Sequence, residues 1–381
     1  MRILLLTTGL RLGGAERQVA DLARQFVAFG HDVAVVSLTL AQEVALPPEV
    51  TLHRVDLHKD PLRFLLTLQA VRKWVARWRP DIIHAHMFHA NIFARLLRSR
   101  RAGGARIPVL CTAHSSREGG RLRMLAYRLT DGLCTANTHV SAEGMQYMLD
   151  VRATKAGRIS VMPNGIDTDR FCRDSQARAQ TRQALGVGPD AKIVLNVGRL
   201  VHEKDQQRLI EAFRQLADDP ETGAGICLLI AGDGPLKATL IQHAAALGLS
   251  HAVRLLGPCD NVPALINAAD LFVLSSVREG LPLVVAEALA CETPVVVTDV
   301  SGVRALLAAS GSIVPAGDTD ALARGMRAAL LGRQDVGAGR AHAVAAYSLV
   351  SVAQRWIDLY RELVQRRGAA MPNASGKADH A

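Results

Sequence analysis

The sequence predicts two α/β domains in tandem, each built on a doubly wound parallel sheet. Short apolar runs recur along nearly the whole chain, and segments with helical spacing separate them. These runs are continuous and do not alternate with polar residues, which is typical of parallel strands covered on both faces. The pattern stops at a polar stretch, 168–191, and then starts again. We therefore expect two Rossmann-like domains of similar size.

The first domain is predicted to span residues 1–168. Its strands are expected at 2–8, 32–38, 51–57, 81–86, 108–114, 132–137 and 159–164. Helical spacing lies between them, at 14–29, 62–79, 89–101, 120–130 and 141–150. Open parallel sheets bind ligands at the carboxyl ends of their strands, so functional residues are expected there.

The second domain is predicted to span residues 169–350, and its first part is interpreted as a linker with one short helix. Its strands are expected at 192–198, 226–232, 253–257, 271–276, 294–299 and 312–315. A last helix, 351–367, is expected to pack back on the first domain. The remainder, 368–381, has few bulky apolar residues and is predicted to be a disordered tail.

Composition limits the class of protein. The 381 residues are 49% hydrophobic, which is enough for large cores. No apolar run approaches the roughly 20 residues that span a bilayer, and the first residues do not resemble a signal peptide. The six cysteines form no CxxC pair. We therefore expect reduced thiols in a cytoplasmic protein.

The positive charge is concentrated in the first half of the chain. Residues 1–170 contain 24 Lys and Arg against 14 Asp and Glu, whereas residues 171–381 contain 21 of each kind. An acidic macromolecular partner would therefore meet the first half. Aromatic residues make up only 4% of the chain. Because no basic and aromatic platform is evident, a nucleic acid is not the expected partner.

A glycine loop follows the first predicted strand. Gly9, Gly13 and Gly14 permit a tight turn before a helix, whose N-terminal N–H groups favour an anion. The spacing differs from the G-x-G-x-x-G fingerprint, and the second strand ends without an acidic residue for a ribose. An anion-facing loop is therefore favoured over NAD binding, with a purely structural turn as a further alternative.

Two cations follow the first strand of the second domain. Arg199 and Lys204 lie between that strand and a helix that begins near Asp205. A guanidinium and an ammonium over a helix N-terminus form a strong phosphate site. The alternative is a pair of surface cations, which the helix macrodipole mildly disfavours.

Histidines end two predicted strands. His84, His86 and His89 lie near the end of one strand, and His114 ends another. No acidic residue or cysteine accompanies the first three, so core or supporting histidines are favoured over a zinc site. His114 is the better candidate for contact with a substrate, and a hydrogen-bonded structural role is the alternative.

Two glutamates stand out within "REGLPLVVAEALAC". Glu279 lies in the loop before a helix, beside the free N–H groups expected for Gly280 to Val284, and Glu287 lies in the apolar run of that helix. An unpaired buried carboxylate is costly, so Glu287 needs donors. The alternative is a cap-like Glu279 with Glu287 on a narrow solvent-facing stripe. The two D-x-D strings, 167–169 and 318–320, are interpreted as a turn and a helix cap, so no metal site is expected.

Over about residues 1–365 the sequence resembles the retaining GT-B glycosyltransferases, specifically glycosyltransferase family 4. The most specific element is Glu279, seven residues, then Glu287, inside "EGLPLVVAEALACETPVVVTD". The segments "GGAER", "VMPNGID", "GRLVHEKD" and "IAGDGPL" occur in the family's order. The resemblance implies two domains that face a central cleft. It also implies transfer of a sugar from a nucleoside-diphosphate sugar, with retention of configuration and without a metal or other cofactor.

The resemblance implies a role for each candidate residue. Glu287 would accept hydrogen bonds from the ribose hydroxyls, and Glu279 would contact the donor sugar. Arg199 and Lys204 would neutralise the leaving diphosphate, and His114 would lie near the transferred sugar. The implied donor-binding positions are Gly13, Gly14, Gly280, Leu281, Leu283, Val284 and Glu287.

The family's pattern is not kept everywhere, and other functions compete. Residues 298–307, "TDVSGVRALL", lack the paired glycines and acidic residue that many members have, which could reflect a different sugar. A nucleotide-sugar epimerase, a phosphorylase-like enzyme, a glycosidase with Glu279 and Glu287 as its carboxylate pair, and a non-catalytic membrane-associated binding protein are the alternatives. The glycosidase leaves Arg199 and Lys204 unexplained.

Two segments of the first half, 63–79 and 116–129, mix cations with large apolar residues at helical spacing. Basic amphipathic helices can lie on anionic membranes, although helices that cover a sheet explain 63–79 equally well. The second segment follows His114, on the expected acceptor side. We therefore hypothesise a cytoplasmic enzyme, peripheral on the inner membrane face. Its acceptor would be a saccharide or a lipid-linked saccharide in cell-surface polysaccharide or glycolipid synthesis.

Overall fold

Two compact units make up the chain. The computed structural model describes residues 1–11, 13–58, 60–97, 99, 104, 106–115, 119–188, 190–223, 225–332 and 334–368. One unit contains Met1–Pro163 and the segment from Leu349 onward, and the other contains Asn164–Ser348. These bounds differ slightly from the predicted 168 and 350, because Ile166 is buried in the second unit and its N–H donates to the Tyr347 carbonyl (2.8 Å).

The first unit is a parallel sheet with apolar side chains packed on both faces. Its strands are β1 (Arg2–Thr7), β2 (Asp32–Ser37), β3 (Thr51–Arg54), β4 (Ile82–His86), β5 (Val109–Ala113), β6 (Ala136–His139) and β7 (Ile159–Val161). Its first helices are α1 (Gly14–Ala28), α2 (Pro61–Trp78), α3 (Phe88–Leu97), α4 (Arg121–Thr130) and α5 (Ala142–Asp150). The strand order is β3-β2-β1-β4-β5-β6-β7.

The second unit repeats this plan. Its strands are β8 (Ile193–Val197), β9 (Cys227–Ala231), β10 (Val253–Gly257), β11 (Leu271–Leu274), β12 (Val295–Thr298) and β13 (Ser312–Val314). Its helices are α6 (Ser175–Ala184), α7 (Gln206–Ala217), α8 (Lys237–Ala246), α9 (Val262–Ala268), α10 (Leu283–Ala290), α11 (Val303–Leu307), α12 (Thr319–Leu331) and α13 (Val336–Tyr347). The strand order is β10-β9-β8-β11-β12-β13.

The order of strands reverses beside the first strand of each unit. β1 lies between β2 and β4, and β8 lies between β9 and β11, with all of these pairings parallel. Ligands of doubly wound sheets bind outside the carboxyl ends of the strands at this switch point. The loops after β1 and β4 in the first unit, and after β8 and β11 in the second, therefore position the candidate site.

The predicted fold class, two Rossmann-like α/β domains with parallel sheets, is confirmed. One strand is displaced from its predicted position at 132–137. β6 begins only at Ala136, and Asp131–Leu133 forms a 3₁₀ turn. The Asp131 carboxylate accepts hydrogen bonds from the Thr154 hydroxyl (2.9 Å) and the Arg158 guanidinium (2.9 Å), which holds the chain out of the sheet at this point.

The last helix, α14 (Leu349–Gly368), belongs to the first unit. Its Trp356 and Tyr360 are buried in the same core as Phe26 of α1. The Tyr360 hydroxyl lies 2.5 Å from Nδ1 of His84 in β4, and Nε2 of His84 lies 2.6 Å from the Thr112 hydroxyl. A polar chain therefore ties this helix to the middle of the sheet.

Within the described part of the chain, none of the helices combines the length and the apolar character needed to cross a bilayer. Of the predicted tail, only Gly368 falls inside the described residues, at the end of α14. Residues 116–118 of the second basic segment also lie outside them.

Candidate functional site

An ion pair joins the loops after β8 and β11. The Nζ atom of Lys204 lies 2.6 Å from Oε1 of Glu279, and their side chains are only 19% and 10% exposed. The hydroxyl of Ser276 donates to the same carboxylate oxygen (2.6 Å). The sequence placed these two charges on separate segments, and the fold brings them together at the switch point of the second sheet.

Backbone contacts hold these two loops in place. The Ser275 hydroxyl donates to the Lys204 carbonyl (2.9 Å), and the Val277 N–H donates to the Glu203 carbonyl (2.9 Å). The Thr298 hydroxyl, at the end of β12, donates to the Ser276 carbonyl (2.6 Å). The ion pair therefore rests on a preformed frame, as a precise binding site requires.

Arg199 lies in the same loop as Lys204 but stays exposed. Its carbonyl accepts a hydrogen bond from the side-chain amide of buried Gln206 (2.9 Å), which fixes the backbone and leaves the guanidinium outside. Among the described residues the guanidinium of Arg199 has no ion-pair partner. It is therefore available to an anionic ligand.

Two glycines after β9, Gly232 and Gly234, pack closely against the backbone of the loop that contains Arg199. A Cβ at Gly232 would overlap the carbonyl oxygen of Gly198, and a Cβ at Gly234 would overlap the carbonyl of Leu200. The Leu200 N–H donates to the Asp233 carbonyl (2.9 Å). The segment "IAGDGPL" fits the family's pattern in the sequence, but no role was predicted for its two glycines. The signal was present, because two glycines, Gly232 and Gly234, lie within three residues of the end of a buried strand.

Gly232→Ala is expected to lower the free energy of unfolding by about 1–3 kcal/mol, because the backbone of the Arg199 loop must move to admit the methyl group. Urea denaturation measures this loss. Gly188→Ala is the control: a Cβ there meets nothing within 4 Å, and its stability should change little. Equal stability of both variants would show that the loop of Gly232 is not in tight contact with the loop of Arg199.

At the start of the helix after Glu279, one backbone N–H group is not free as predicted. α10 begins at Leu283 without a side-chain cap. The N–H group of Leu283, expected to be free, donates to the Leu281 carbonyl (3.0 Å) in a local turn. The prediction of free N–H groups from Gly280 to Val284 is therefore wrong at Leu283, because the turn at Pro282 bends the chain back on itself.

Glu287 lies one turn after Leu283 on the same face of α10. It is half-buried, whereas its neighbours Ala286 and Ala288 are fully buried. The carboxylate is therefore not sealed in the core. This placement agrees equally with a solvent-facing stripe and with a surface that a ligand covers.

Residues 298–307, where the sequence departs from the family's pattern, pack on the loop of Gly280. The hydroxyl of Ser301 donates to the Gly280 carbonyl (3.3 Å), and a Cβ at Gly302 would lie 2.9 Å from Cδ1 of Leu281. Arg304 makes a two-pronged, exposed ion pair with Asp299 (3.1 and 2.5 Å). Its positive charge is thus balanced locally.

In the first unit, the loop after β1 leads into α1 at Gly14, with Gly13 as its extended N-cap residue. The carboxylate of Glu16 folds back over this turn, so a Cβ at Gly13 would overlap it. The sequence predicted that this N-terminus faces an anion. The structure places the protein's own carboxylate there, so an anionic ligand would have to displace it.

Histidines end three neighbouring strands of the first sheet. Nδ1 of His86 lies 3.0 Å from Nε2 of His114, and Nε2 of His139 lies 3.0 Å from the Ser115 carbonyl. Burial, with a smaller effect of nearby His139, lowers the pKa of His114 to about 3. Burial also places the pKa of His86 well below its usual value. These imidazoles are therefore neutral at physiological pH.

The remaining predicted histidines lie elsewhere. His84 is buried in the core and hydrogen-bonded on both ring nitrogens, and His89 is exposed on α3. Within the described residues, no group of three or more His, Cys, Asp or Glu side chains is arranged to hold a metal ion. The second unit thus gathers Lys204 and Glu279, and the first unit gathers His114 and His86.

The fold and these motifs match known proteins. The model of glycosyltransferase family 4 matches residues 12–170, and the model of group 1 glycosyl transferases matches residues 177–342. The D-inositol 3-phosphate glycosyltransferase of Frankia alni is 30% identical over 357 residues, which are 83% of this chain and 86% of that protein. The chain is therefore a member of the glycosyltransferase family 4 type of GT-B glycosyltransferases, and the predicted family is confirmed.

Two further matches show how far the similarity extends. TuaC of Bacillus subtilis, a putative teichuronic acid biosynthesis glycosyltransferase, is 35% identical over 234 residues, which are 60% of this chain and 55% of that protein. The crystal structure of HepE from Anabaena in complex with UDP and glucose superposes with a TM-score of 0.79 at 20% identity. It covers 95% of this chain and 100% of that one. This structural match shows the shared fold.

Proposed function

We propose that this glycosyltransferase moves a hexose from a nucleoside-diphosphate sugar to an acceptor with retention of the anomeric configuration. The observation that carries the proposal is the ion pair of Lys204 with Glu279 at the switch point of the second sheet. One end of a nucleotide sugar needs cations for its diphosphate, and the other needs acceptors for its hydroxyls. Lys204 supplies a cation and Glu279 supplies hydrogen-bond acceptors within one site, and Arg199 lies in the same loop as Lys204.

The cations would act on the leaving group. When the bond between C1 of the sugar and the phosphate oxygen breaks, negative charge develops on the β-phosphate. Lys204, Arg199 and the N-terminal end of α10 would stabilise this charge without requiring a metal ion. The side chain of Lys204 is only 19% exposed, so its ammonium interacts more strongly than a fully solvated one would.

The carboxylates would position the donor. Glu279 would accept hydrogen bonds from hydroxyls of the sugar, while Lys204 and Ser276 hold its Oε1 atom. Glu287, half-buried on α10, would accept from the ribose hydroxyls. His114 would contact the transferred sugar, and the backbone at Gly13 and Gly14 would approach the phosphates.

Retention follows if the leaving phosphate serves as the base. The acceptor oxygen forms its bond to C1 on the face from which the phosphate departs, and the acceptor proton passes to a phosphate oxygen. The products are then the glycosylated acceptor and a nucleoside diphosphate, and no protein nucleophile is required. Glu279 has its role as a hydrogen-bond acceptor in this scheme, so it need not form a covalent bond.

The relatives support the donor and acceptor classes. HepE binds UDP and glucose, and a further structure of the same protein contains UDP-glucose. TuaC is named for teichuronic acid biosynthesis. By analogy, we propose a nucleoside-diphosphate hexose as the donor, and a saccharide or lipid-linked saccharide of cell-surface polysaccharide or glycolipid synthesis as the acceptor.

A panel of nucleotide sugars tests this function. At least one of them should raise the thermal midpoint and be hydrolysed slowly, with α-configured sugar as the first product in proton NMR. The β-anomer as the first product would exclude retention for an α-linked donor. If no nucleotide sugar is bound or hydrolysed, the proposal fails for this donor class.

We further propose that α4 rests on an anionic membrane surface from the cytoplasmic side. Leu122, Leu125 and Leu129 on this helix are 82%, 48% and 74% exposed. They repeat at a spacing that forms one apolar row, and Arg121 and Arg128 lie beside it. Apolar insertion combined with cations is what an interfacial helix on anionic lipid requires.

Changing Leu122, Leu125 and Leu129 together to asparagine should lower partitioning onto vesicles of anionic phospholipid at least tenfold, because about three leucines no longer enter the lipid. Flotation measures this. The matched control is the same change at Leu62, Leu65 and Leu66 of α2, which are 66%, 53% and 57% exposed. If only the α2 change lowers vesicle binding, the membrane contact lies on α2 and not on α4. If the unchanged protein does not bind the vesicles, the proposed membrane contact is refuted.

A further inference from the structure

A cavity of about 430 Å³ lies in the first unit, between the ends of α4 and α5 and the loop that leads to β7. Arg128, Arg152 and Lys155 contribute three cationic side chains to its lining, and Leu149 and Ala153 contribute apolar surface. Its volume is within the range of pockets that hold small ligands. Cations beside an apolar wall favour a ligand that is both anionic and partly apolar.

The three cations of this cavity have no partner in the described part of the chain. All three residues are exposed, and none of their side chains forms an ion pair or a hydrogen bond there. Cations near the carboxyl end of a helix often bind its last carbonyl groups, which would explain their presence without a ligand. Since none of the three makes such a bond to a described residue, their charge is available to an anion.

One carboxylate, that of Asp131, also lines the cavity, but its oxygens already have partners. Its Oδ1 atom accepts from the Thr154 hydroxyl (2.9 Å) and the Asn137 side-chain amide (2.8 Å). Its Oδ2 atom accepts from Nε of Arg158 (2.9 Å), which balances its charge. Asp131 is also buried, so the exposed charged residues that line the cavity are all cations.

Arg152 occupies a backbone position that glycine usually takes. Its φ is 56°, in the left-handed region, directly after the end of α5. The N–H groups of Arg152 and Ala153 donate to the carbonyls of Leu149 (2.9 Å) and Met148 (2.9 Å), as at the end of a helix that glycine terminates. The chain therefore keeps a guanidinium at the cavity where glycine would be less strained.

Exposed apolar residues adjoin the cations of the cavity. Leu129, the last leucine of the exposed row on α4, directly follows Arg128, and exposed Val151 directly precedes Arg152. An anionic phospholipid combines a phosphate headgroup with acyl chains. The cations match the first part of such a molecule, and the neighbouring apolar surface matches the second.

We propose that this cavity binds the headgroup of an anionic phospholipid, at a site separate from that of the sugar donor. Asp131 precedes β6 and residues 152–156 precede β7, so the cavity lies at the amino ends of these strands. Reacting groups are expected at the carboxyl ends, so the lipid bound here is not a reactant. The inference rests on the membrane contact proposed for α4, and it adds that this contact includes a defined headgroup site.

Isothermal titration calorimetry with dihexanoyl phosphatidylglycerol, kept below the concentration at which it forms micelles, tests the site. Saturable binding is expected. Arg152→Gly should weaken it about fivefold, because one arginine no longer attracts the phosphate. This variant should remain folded, since glycine relieves the left-handed strain. Changing Arg128 and Lys155 together to glutamine should weaken the binding further.

Arg79→Gly is the matched control for Arg152→Gly. Arg79 is exposed at the end of α2, has a left-handed backbone with φ of 55°, and does not line the cavity. The change removes the same charge from the same kind of backbone position, and lipid binding should equal that of the wild type. An equal loss in Arg79→Gly and Arg152→Gly would overturn the proposal, because it would show a general attraction between charges.

Two further ligands define the class that is bound. Glycerophosphoglycerol is the same headgroup without acyl chains, and dihexanoyl phosphatidylcholine has the chains without net charge; both should bind more weakly. If either binds as tightly as dihexanoyl phosphatidylglycerol, or if that lipid shows no saturable binding, the proposal is wrong. The titration uses neither vesicles nor a nucleotide sugar. It therefore decides the headgroup site even if the vesicle contact of α4 or the proposed sugar transfer fails.

Discussion

Lys204→Met is expected to lower kcat by on the order of 10²- to 10³-fold, which is the usual effect of removing one charge-stabilising group from a transition state. The ammonium of Lys204 is positioned by Glu279 and by the Ser275 hydroxyl that holds the Lys204 carbonyl. Methionine keeps a similar volume but supplies no charge for the leaving phosphate. Steady-state transfer rates with a saturating donor measure the loss.

The same variant also removes the partner of a mostly buried carboxylate, and the two effects must be separated. Glu279 is 10% exposed, so loss of Lys204 is expected to lower the free energy of unfolding by about 1–3 kcal/mol. Glu279→Gln keeps the shape and removes the charge. If the carboxylate only holds Lys204, the double variant will be no slower than Lys204→Met alone; if it also contacts the sugar, the losses will add.

A lysine on the opposite edge of the same sheet provides the control. Lys192 is exposed and directly precedes β8, so it lies at the amino end of the strand whose carboxyl end leads to Lys204. Lys192→Met makes the same change in net charge. A full transfer rate in Lys204→Met, or an equal loss in Lys192→Met, would contradict the role proposed for Lys204.

Trp356→Ala is expected to destabilise the first unit by about 3–5 kcal/mol, because it leaves a large cavity in a core that is otherwise closed. Trp356 is 2% exposed, and its ring centroid lies 4.5 Å from that of His84. Tyr360→Phe should cost less, about 1–3 kcal/mol, since it mainly leaves Nδ1 of His84 without its hydroxyl partner.

Differential scanning calorimetry is the measurement for both variants. Two compact units need not unfold together, so two transitions are expected, and only that of the first unit should shift. Val350→Ala on the same helix is the control, because Val350 is 52% exposed and should change stability by less than about 0.5 kcal/mol. A shift confined to the transition of the second unit would contradict this assignment of α14.

The strands could be predicted from the sequence because their signal is local. A continuous apolar run such as "CLLIA" in β9 reports burial on both faces without reference to any other part of the chain. The strand predicted at 132–137 begins only at Ala136 in the structure, because the turn before it depends on distant residues and gives no local signal. The turn at Asp131 depends on Thr154 and Arg158, which lie more than twenty positions away.

The candidate site was predicted in its parts but not in its contacts. Lys204 and Glu279 were each recognisable beside a strand end, yet their ion pair joins residues 75 positions apart. Similarly, the Glu16 carboxylate over Gly13 and the partner of the Leu283 N–H depend on side-chain and turn geometry. No pattern of residue types specifies these details.

The position of α14 has a consequence for synthesis of the chain. The second unit is one continuous segment, Asn164–Ser348, whereas the first unit needs residues from both sides of it. During translation the first sheet is made early, but Trp356 and Tyr360, which cover it, leave the ribosome only after the whole second unit. The half of the protein that begins first must therefore finish folding last, and until then His84 and the apolar face around it remain open to chaperones.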